Sequence, residues 1–379
     1  MSFTTFATSP KMKFVIDDKI PFIRGILEPF AEVDYQKGAA MTPASIAGAD
    51  ALIVRTRTRC DAKLLAGSRV KFVATATIGY DHIETAELEK LGVAWRNAPG
   101  CNAASVAQYL AAVLTGFGVR LAGRTLGVVG VGNVGKLAVK VGEALGMRVL
   151  ENDPPRAEAE GEAGFVSLAR IAAEADFVTL HVPKIAGGRY PTVKLLDEKF
   201  FAAAKDGVCL VNAARGEAVD GAALKAAIGS GKVAHVAVDV WENEPDIDLE
   251  LLKLCDFGTP HIAGYSTDGK ANGTTAAVRA VAEFFGIAEL RSFRAVPPPP
   301  ANAVGIVADG HAPVEREIHR IVCHTFDLHR ADGDLKRDPA GFERQRGNAP
   351  LRREPFAYHV SGGSEELRRK LGALGFKLV

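Results

Sequence analysis

Apolar and polar positions along the 379-residue chain switch repeatedly between two periods. Short apolar runs stand at Phe14–Ile16, Val33–Tyr35, Ala51–Val54, Phe72–Thr75 and Val93–Trp95. Helically spaced stretches separate them, and this alternation predicts a small domain built on a parallel sheet. The pattern resumes after Asn102. A charge-free segment from Asn97 to Val119 carries a helix over about Ala103–Phe117. Strands are then expected at Leu126–Val129, Met147–Leu150, Phe177–Leu180, Val208–Val211 and Ala234–Val238, with a short sixth near Phe257. The last three longer runs are almost wholly apolar, as strands covered on both faces must be. Beyond about Gly286 the character changes. Pro297 to Pro300 form a stiff polyproline linker. A more charged segment follows, with apolar runs at Ala303–Val307, Ile321–Val322 and Phe356–Val360, then a helix over Ser364–Leu374 and a strand over Phe376–Val379.

Composition narrows the class of protein. Apolar residues make up 47% and charged residues 24%, which suits a globular chain with a sizeable core divided into two or three domains. A net charge of +1 gives no electrostatic reason to expect nucleic acid or an anionic membrane as partner. The charge-free segment is long enough to span a bilayer, but Asn97, Pro99, Gly100, Asn102 and Gln108 break its first half. Its helix reads as buried between domains, not as a membrane span. Cys60, Cys101, Cys209, Cys255 and Cys323 are scattered and include no CxxC pair, which argues for a reducing cytoplasm and against a disulfide framework or a zinc site. The first eleven residues have neither a basic start nor an apolar core, so no signal peptide is expected there, and Met12 stands as an alternative start.

One stretch changes the picture most. After Leu126–Val129 the chain reads Gly130-Val131-Gly132-Asn133-Val134-Gly135, continues as an amphipathic helix to about Leu145, and reaches Asp153 at the end of the next strand. Gly130 permits a tight strand-to-helix turn, Gly132 lets the backbone approach a pyrophosphate, and Gly135 lets the helix pack close to the strand. The helix start turns its unpaired N–H groups and positive dipole end toward the phosphates. Asp153 lies 18 positions after Gly135, where a carboxylate can accept both ribose hydroxyls. A lone GxGxxG also marks ordinary turns; the preceding strand, following helix and distant acid make this one a Rossmann site. The Asp153 carboxylate would repel a 2′-phosphate, which selects NAD over NADP, although Arg156 offers a cation three residues on.

Three loop residues complete a reaction centre: Arg215, Glu244 and His261. Removing hydride from a carbinol needs a base for the hydroxyl proton, and neutral imidazole titrates in the useful range. A carboxylate on the other ring nitrogen fixes the tautomer and stabilises the imidazolium. A guanidinium grips an α-hydroxy acid's carboxylate bidentately. His261 sits in Gly258-Thr259-Pro260-His261-Ile262-Ala263-Gly264, where no packing reason for an imidazole is evident. Among its rivals, His181 has no nameable acidic partner and His235 reads as a core histidine. His324 and His329, five apart, have the wrong helical spacing to share a metal and read as surface residues. No metal is expected. The loops Arg55-Thr56 and Thr75-Ala76-Thr77-Ile78-Gly79 follow strands of the first domain. They suit either substrate contact or plain capping and turn formation.

These residues resemble the D-isomer-specific 2-hydroxyacid dehydrogenases. The likeness lies in Gly130–Gly135 with Asp153, Asn212-Ala213-Ala214-Arg215-Gly216, Asp239-Val240-Trp241 with Glu244-Pro245, and Thr259-Pro260-His261-Ile262-Ala263-Gly264. Within that superfamily the chain is most similar to the branch that oxidises 4-phospho-D-erythronate in vitamin B6 biosynthesis. Ala98–Ala103, Asp153-Pro154-Pro155-Arg156, His261–Tyr265, Gly269-Lys270-Ala271, Gly273-Thr274-Thr275 and the tail Phe342–Tyr358 with Arg352-Arg353-Glu354 carry that closer likeness, and it covers nearly the whole chain from Met12. The resemblance implies an α/β protein in three parts. A flavodoxin-like substrate domain would span residues 12–102 and 258–286, a Rossmann NAD domain 103–257, and a small α/β dimerisation domain 287–379. It further implies a cytoplasmic homodimer acting on a phosphorylated 2-hydroxy acid, yielding (R)-3-hydroxy-2-oxo-4-phosphooxybutanoate. Arg215, Glu244 and His261 take the catalytic positions. Gly130, Gly132, Asn133, Val134, Gly135, Asp153, Val182, Ala213, Ala214, Arg215, Asp239 and Gly264 take cofactor positions, and Thr56, Thr77 and Tyr265 substrate positions. Two residues depart from the pattern: Thr56 replaces a frequent Ser but keeps a hydroxyl, and Val182 replaces a Thr, which removes one side-chain bond to NAD. Two other readings stay open. One is a D-2-hydroxyacid dehydrogenase acting on another acid such as 3-phosphoglycerate; the other is an NAD(H)-sensing co-repressor.

Overall fold

The computed structural model describes residues 12–350 and 352–379, so the expectations about the first eleven residues lie outside it. The chain divides into two compact units. The first contains residues 12–102 and Asp268–Pro298; the second contains Ala103–Thr267 and Pro299–Val379.

In the first unit, β1 (Lys13–Asp17), β2 (Glu32–Gln36), β3 (Ala51–Val54), β4 (Phe72–Thr75) and β5 (Ala94–Arg96) form one parallel sheet in the order β2-β1-β3-β4-β5. Successive side chains of a strand point to opposite faces. Phe14, Ile16, Ile53 and Phe72 therefore join one core with Val278 and Val281 of the Thr267–Phe285 helix, while Val15, Leu52, Val54 and Val73 enter a second core with Leu88. Burial on both faces is why these runs are uninterruptedly apolar. Val54 pairs with Thr75, so the loops holding Thr56 and Thr77 leave the same carboxyl edge of adjacent strands.

The second unit holds a six-stranded parallel sheet: β6 (Thr125–Val129), β7 (Arg148–Asn152), β8 (Phe177–Leu180), β9 (Val208–Asn212), β10 (Val233–Val238) and β11 (Phe257–Gly258), ordered β11-β10-β9-β8-β6-β7. Neighbour order reverses at β6, and the glycine loop leaves the carboxyl end of that strand. In open α/β sheets such a switch point is where ligands bind. β7 runs two residues past its apolar stretch because Glu151 and Asn152 continue the ladder against Val128 and Val129. Among the described residues no helix is long and apolar enough to cross a membrane. The charge-free segment forms the helix Ala103–Gly116, which is largely buried against the Val314–Thr325 helix of its own unit.

A third sheet, β12 (Gly305–Ala308), β13 (His359–Gly362) and β14 (Lys377–Leu378), is also parallel. Its inward residues Ile306, Ala308 and Val360 share one core with Val128 and Val211 of the Rossmann strands. The C-terminal segment thus packs into the second unit and has no core of its own. Three strands this short bury too little apolar surface to stand alone. The chain returns to the first unit at Asp268, ten residues later than the expected boundary at 258. Two apolar runs also resolve differently. Ile321 and Val322 belong to a helix, since Ile318, Ile321, Val322 and Thr325 share one buried face. The Phe356–Val360 run splits into a short 3₁₀ turn, Pro355–Ala357, and the start of β13. His329 is exposed but not solitary. Its Nε2 lies 2.9 Å from His319 Nε2, with Cys323 Sγ 3.6 Å from the same His319 atom. Two imidazole nitrogens this close require one to donate and the other to accept. His235 is half-buried and paired with Asp256 at 2.9 Å.

Candidate active site

The dinucleotide loop is built as its glycines require. Gly130 has φ of +85°, and a Cβ there would lie 2.8 Å from the His181 carbonyl and from Val182 Cγ1. A Cβ on Gly135 would come within 2.0 Å of the Gly130 oxygen, so the helix Gly135–Ala144 can start here only without a side chain. Around Gly132 a Cβ would meet no protein atom within 4 Å, which leaves that backbone open to a ligand. Val134, at the helix N-cap, supplies no side-chain cap; the Lys136 and Leu137 amides donate instead to the carbonyls of Gly132 and Val134 at 3.1 and 2.9 Å. Asp153 ends the second strand and accepts the Val131 amide at 2.8 Å and the Arg156 amide at 3.1 Å, fixing its carboxylate beside the loop. Arg156 is committed elsewhere: it donates to the Val131 carbonyl at 2.7 Å and to both oxygens of Glu160. Val182 packs against Gly130 as an apolar wall. His181 next to it donates to or accepts from Thr179 Oγ1 at 3.0 Å, while its Nδ1 is buried without a partner. Burial holds its pKa down at about 3, so the ring is neutral and has no carboxylate to work with.

The candidate catalytic residues Arg215, Glu244 and His261 stand on the loops after β9, β10 and β11. Asn212 closes the β9 loop on itself, donating to the Arg215 carbonyl at 3.0 Å and accepting the Ala214 amide at 3.1 Å. This staple sets Ala213, Ala214 and Arg215. A Cβ on Gly216 would fall 2.1 Å from the Trp241 carbonyl carbon, so the loops after β9 and β10 touch directly beside Arg215. Trp241 braces the other side: its amide donates to Glu244 Oε1 at 2.9 Å and its indole N–H to the Thr259 carbonyl at 3.0 Å. Glu244 Oε2 meets His261 Nδ1 at 2.7 Å. Burial pushes the Glu244 carboxyl up, but the His261 bond and charge, the Trp241 amide and the Arg346 guanidinium outweigh it. The pKa ends below the usual carboxylate range. His261 has φ of +56°, uncommon for a residue with a Cβ. Its amide is held by the carbonyls of Asp239 at 2.7 Å and Thr259 at 3.0 Å.

Asp239 organises this loop. It is 1% exposed, and its carboxylate accepts from Thr259 Oγ1 at 2.6 Å and from the amides of Ile262 and Ala263 at 2.8 and 2.9 Å. Burial raises its pKa against those bonds. The sequence motif offered Asp239 as a cofactor residue; three of its roughly four acceptor positions are spent on the His261 loop, leaving one on Oδ2. From below, Arg352 reaches the Ala263 carbonyl at 2.5 Å and Ser105 Oγ at 3.0 Å, over the Phe326 ring at 3.9 Å. Gly264 and Tyr265 follow on the same turn, closed by the Tyr265 amide on Ile262 O at 2.9 Å. Arg346 completes the surroundings, donating to the Tyr265 hydroxyl at 3.2 Å with Nη1 3.6 Å from Glu244 Oε2. Neither bracing arginine was assigned a role from sequence. Both lie inside the tail Phe342–Tyr358, which was quoted for resemblance alone.

The two remaining expected residues belong to the first unit. Thr77 Oγ1 pairs with Thr75 Oγ1 at 2.7 Å and donates to the Gly79 carbonyl at 2.9 Å, so it serves its turn at least. Thr56 is exposed on the loop after β3.

Comparison with known proteins agrees with this geometry. The NAD-binding domain model of the D-isomer specific 2-hydroxyacid dehydrogenases matches residues 93–263. A solved D-lactate dehydrogenase from Aquifex aeolicus, complexed with NAD and lactic acid, superposes with a TM-score of 0.62 at 26% identity, covering 76% of this chain and 99% of that one. The erythronate-4-phosphate dehydrogenase of Escherichia coli is 40% identical over 86% of this chain and 87% of its own length. That of Bacteroides fragilis is 47% identical over 88% of this chain and 94% of its own. The chain therefore belongs to the erythronate-4-phosphate dehydrogenase family, a branch of the D-isomer-specific 2-hydroxyacid dehydrogenases.

Proposed function

We propose that this chain oxidises 4-phospho-D-erythronate to (R)-3-hydroxy-2-oxo-4-phosphooxybutanoate with NAD, a step of vitamin B6 biosynthesis. The observation that carries the chemistry is the 2.7 Å pair of His261 and Glu244, the latter on a loop in direct contact with the one that bears Arg215. NAD, when bound, supplies the acceptor for the hydride leaving C2. Gly130, Gly132, Asn133, Val134 and Gly135 would receive its pyrophosphate and Asp153 its ribose. Val182, the Ala213–Arg215 backbone, Asp239 and Gly264 would line the rest. Arg156 is engaged by the Val131 carbonyl and Glu160, which makes it a poorer partner for a 2′-phosphate.

His261 Nε2, the nitrogen Glu244 leaves alone, takes the hydroxyl proton. Glu244 stays ionised and stabilises the imidazolium as it forms. Arg215 holds the substrate carboxylate through its planar fork. Thr56, Thr77 and Tyr265 are the proposed substrate contacts, and the step assigns no role to a metal. The substrate class rests on the relatives: the D-lactate dehydrogenase is matched over nearly its full length with about a quarter of this chain left over, whereas the erythronate-4-phosphate dehydrogenases match both chains almost throughout. The C-terminal segment is proposed to pair two copies. On its small sheet Val307 is 74% exposed, an apolar side chain suited to a partner strand or helix. The five free cysteines accord with a reducing cytoplasm.

Turnover assays with 4-phospho-D-erythronate, 3-phospho-D-glycerate and D-lactate test the assignment, with NAD and with or without a 2-oxoacid acceptor. Preference for 4-phospho-D-erythronate is expected. Equal or better use of 3-phosphoglycerate would replace the substrate, and tight NADH binding without turnover on any acid would favour a sensor.

A further inference from the structure

Arg346 sits beside the catalytic dyad without being satisfied by it. Its side chain is only 11% exposed, yet among the described residues its one hydrogen bond is from Nε to the Tyr265 hydroxyl. A guanidinium has five N–H donors, and the Nη groups of Arg346 make no hydrogen bond among the described residues while still reaching solvent, so they are open to a ligand. Glu244 does not absorb them: its Oε1 takes the Trp241 amide, its Oε2 takes His261, and Arg346 Nη1 stays outside hydrogen-bond distance at 3.6 Å. Nor is Arg346 a loose surface residue. The short helix Phe342–Gly347 that carries it is pinned by Phe342, fully buried in the core, and by the Gln345 amide on the carbonyls of Asp334 and Asp338 at 3.2 and 2.7 Å. The fold thus holds a fork of donors next to the proton-transfer pair with acceptors missing.

We propose that Arg346 binds the phosphate monoester of the substrate. The inference rests on the dehydrogenase reading above, which assigns the substrate carboxylate to Arg215. The other anionic group of a phosphorylated 2-hydroxy acid is a phosphate that is mostly dianionic near neutral pH. Its three oxygens match a planar fork better than a point charge. Arg346 lies well beyond residue 263, where the match to the shared NAD-binding domain model ends. A cation contributed by the C-terminal segment ties that segment to substrate choice as well as to assembly.

The test uses the full-length enzyme with saturating NAD and compares wild type, Arg346→Gln and Arg346→Lys on 4-phospho-D-erythronate and on D-erythronate, which lacks the phosphate. Competitive inhibition by inorganic phosphate is read in parallel. Arg346→Gln is expected to lower kcat/KM on the phosphorylated acid by roughly a hundredfold, the loss typical of removing one partner of a buried charged pair. On D-erythronate, where only the charge beside Glu244 and the bond to Tyr265 are lost, the fall in kcat/KM should be at least about tenfold smaller, while phosphate inhibition weakens at least about tenfold. Arg346→Lys should recover part of both losses. Equal losses on the two acids, or unchanged phosphate inhibition, would overturn the proposal and leave Arg346 acting on Glu244 alone. Should Arg346→Gln fail to bind NADH, Arg346→Lys alone decides by the same substrate comparison. A wild-type enzyme that ignores 4-phospho-D-erythronate but oxidises another phosphorylated 2-hydroxy acid would sink the substrate assignment. The Arg346 comparison would then be made on that acid and its unphosphorylated form.

Discussion

In the proposed reaction Arg215, Glu244 and His261 divide the work among three kinds of side chain, and each division can be checked by changing the kind. His261→Ala removes the base but none of the dinucleotide loop, so turnover should fall at least about a thousandfold while NADH affinity, read by fluorescence, stays within about twofold. Lost NADH binding would mark His261 as structural. Arg215→Lys keeps the charge and loses the fork; kcat/KM should drop by roughly a hundredfold or more, and a mild effect would remove the clamp from the mechanism. At Asp153 the question is cofactor choice. Its carboxylate is fixed by the Val131 and Arg156 amides, so Asp153→Ala deletes a repulsive charge at a defined place. The kcat/KM ratio of NAD to NADP should shift toward NADP by about tenfold or more; an unchanged ratio would place the discrimination elsewhere.

Individual elements explain which of these residues announce themselves. Arg215 and Glu244 follow strands whose apolar runs are plain in the sequence, because a parallel strand buried on both faces has little freedom in composition, whereas His261 follows only the two-residue β11. Asp239 was equally visible, but its work as the anchor of the His261 loop shows only when the amides of Ile262 and Ala263 are seen to converge on it. Arg346 and Arg352 were not readable as site residues at all. Their contacts, Tyr265 and Ala263, lie more than 80 positions away in sequence, and periodicity reports only neighbours along the chain. Two histidines, His82 in the loop after β4 and His181 directly after β8, bear on stability. His82 and His181 have pKa values held down by burial at about 4 and about 3, against about 6.5 in the unfolded chain. The unfolded chain therefore takes up these protons first as the pH falls. The stability they allow is complete above about pH 6.5 and is lost toward pH 4, by about 1.4 kcal/mol per pH unit for each ring. Unfolding midpoints at pH 7.5 and 5.5 should fall accordingly, and His181→Gln should reduce the drop. An identical drop in the variant would show that His181 is not buried neutral.

At the scale of the molecule, the C-terminal segment was expected as a separate domain and is found sharing a core with the Rossmann sheet. Its small sheet leaves Val307 outward, and the proposed pairing of two copies predicts that Val307→Asp yields a monomer in sedimentation analysis with its fold intact. A mutant that remains dimeric would move the interface off this sheet.

The sequence alone determined the two parallel sheets, the glycine loop with its distant acid, and the three candidate catalytic side chains in loops after strands. Each of these is imposed by local rules: period, backbone freedom and capping. Only the tertiary structure decided that Glu244 and His261 meet at 2.7 Å, that Asp239 and Arg352 hold the His261 loop in a left-handed turn, and that Arg346 comes to lie beside them. Those are meetings between segments far apart in the chain, made by packing of the core, and no local pattern encodes them.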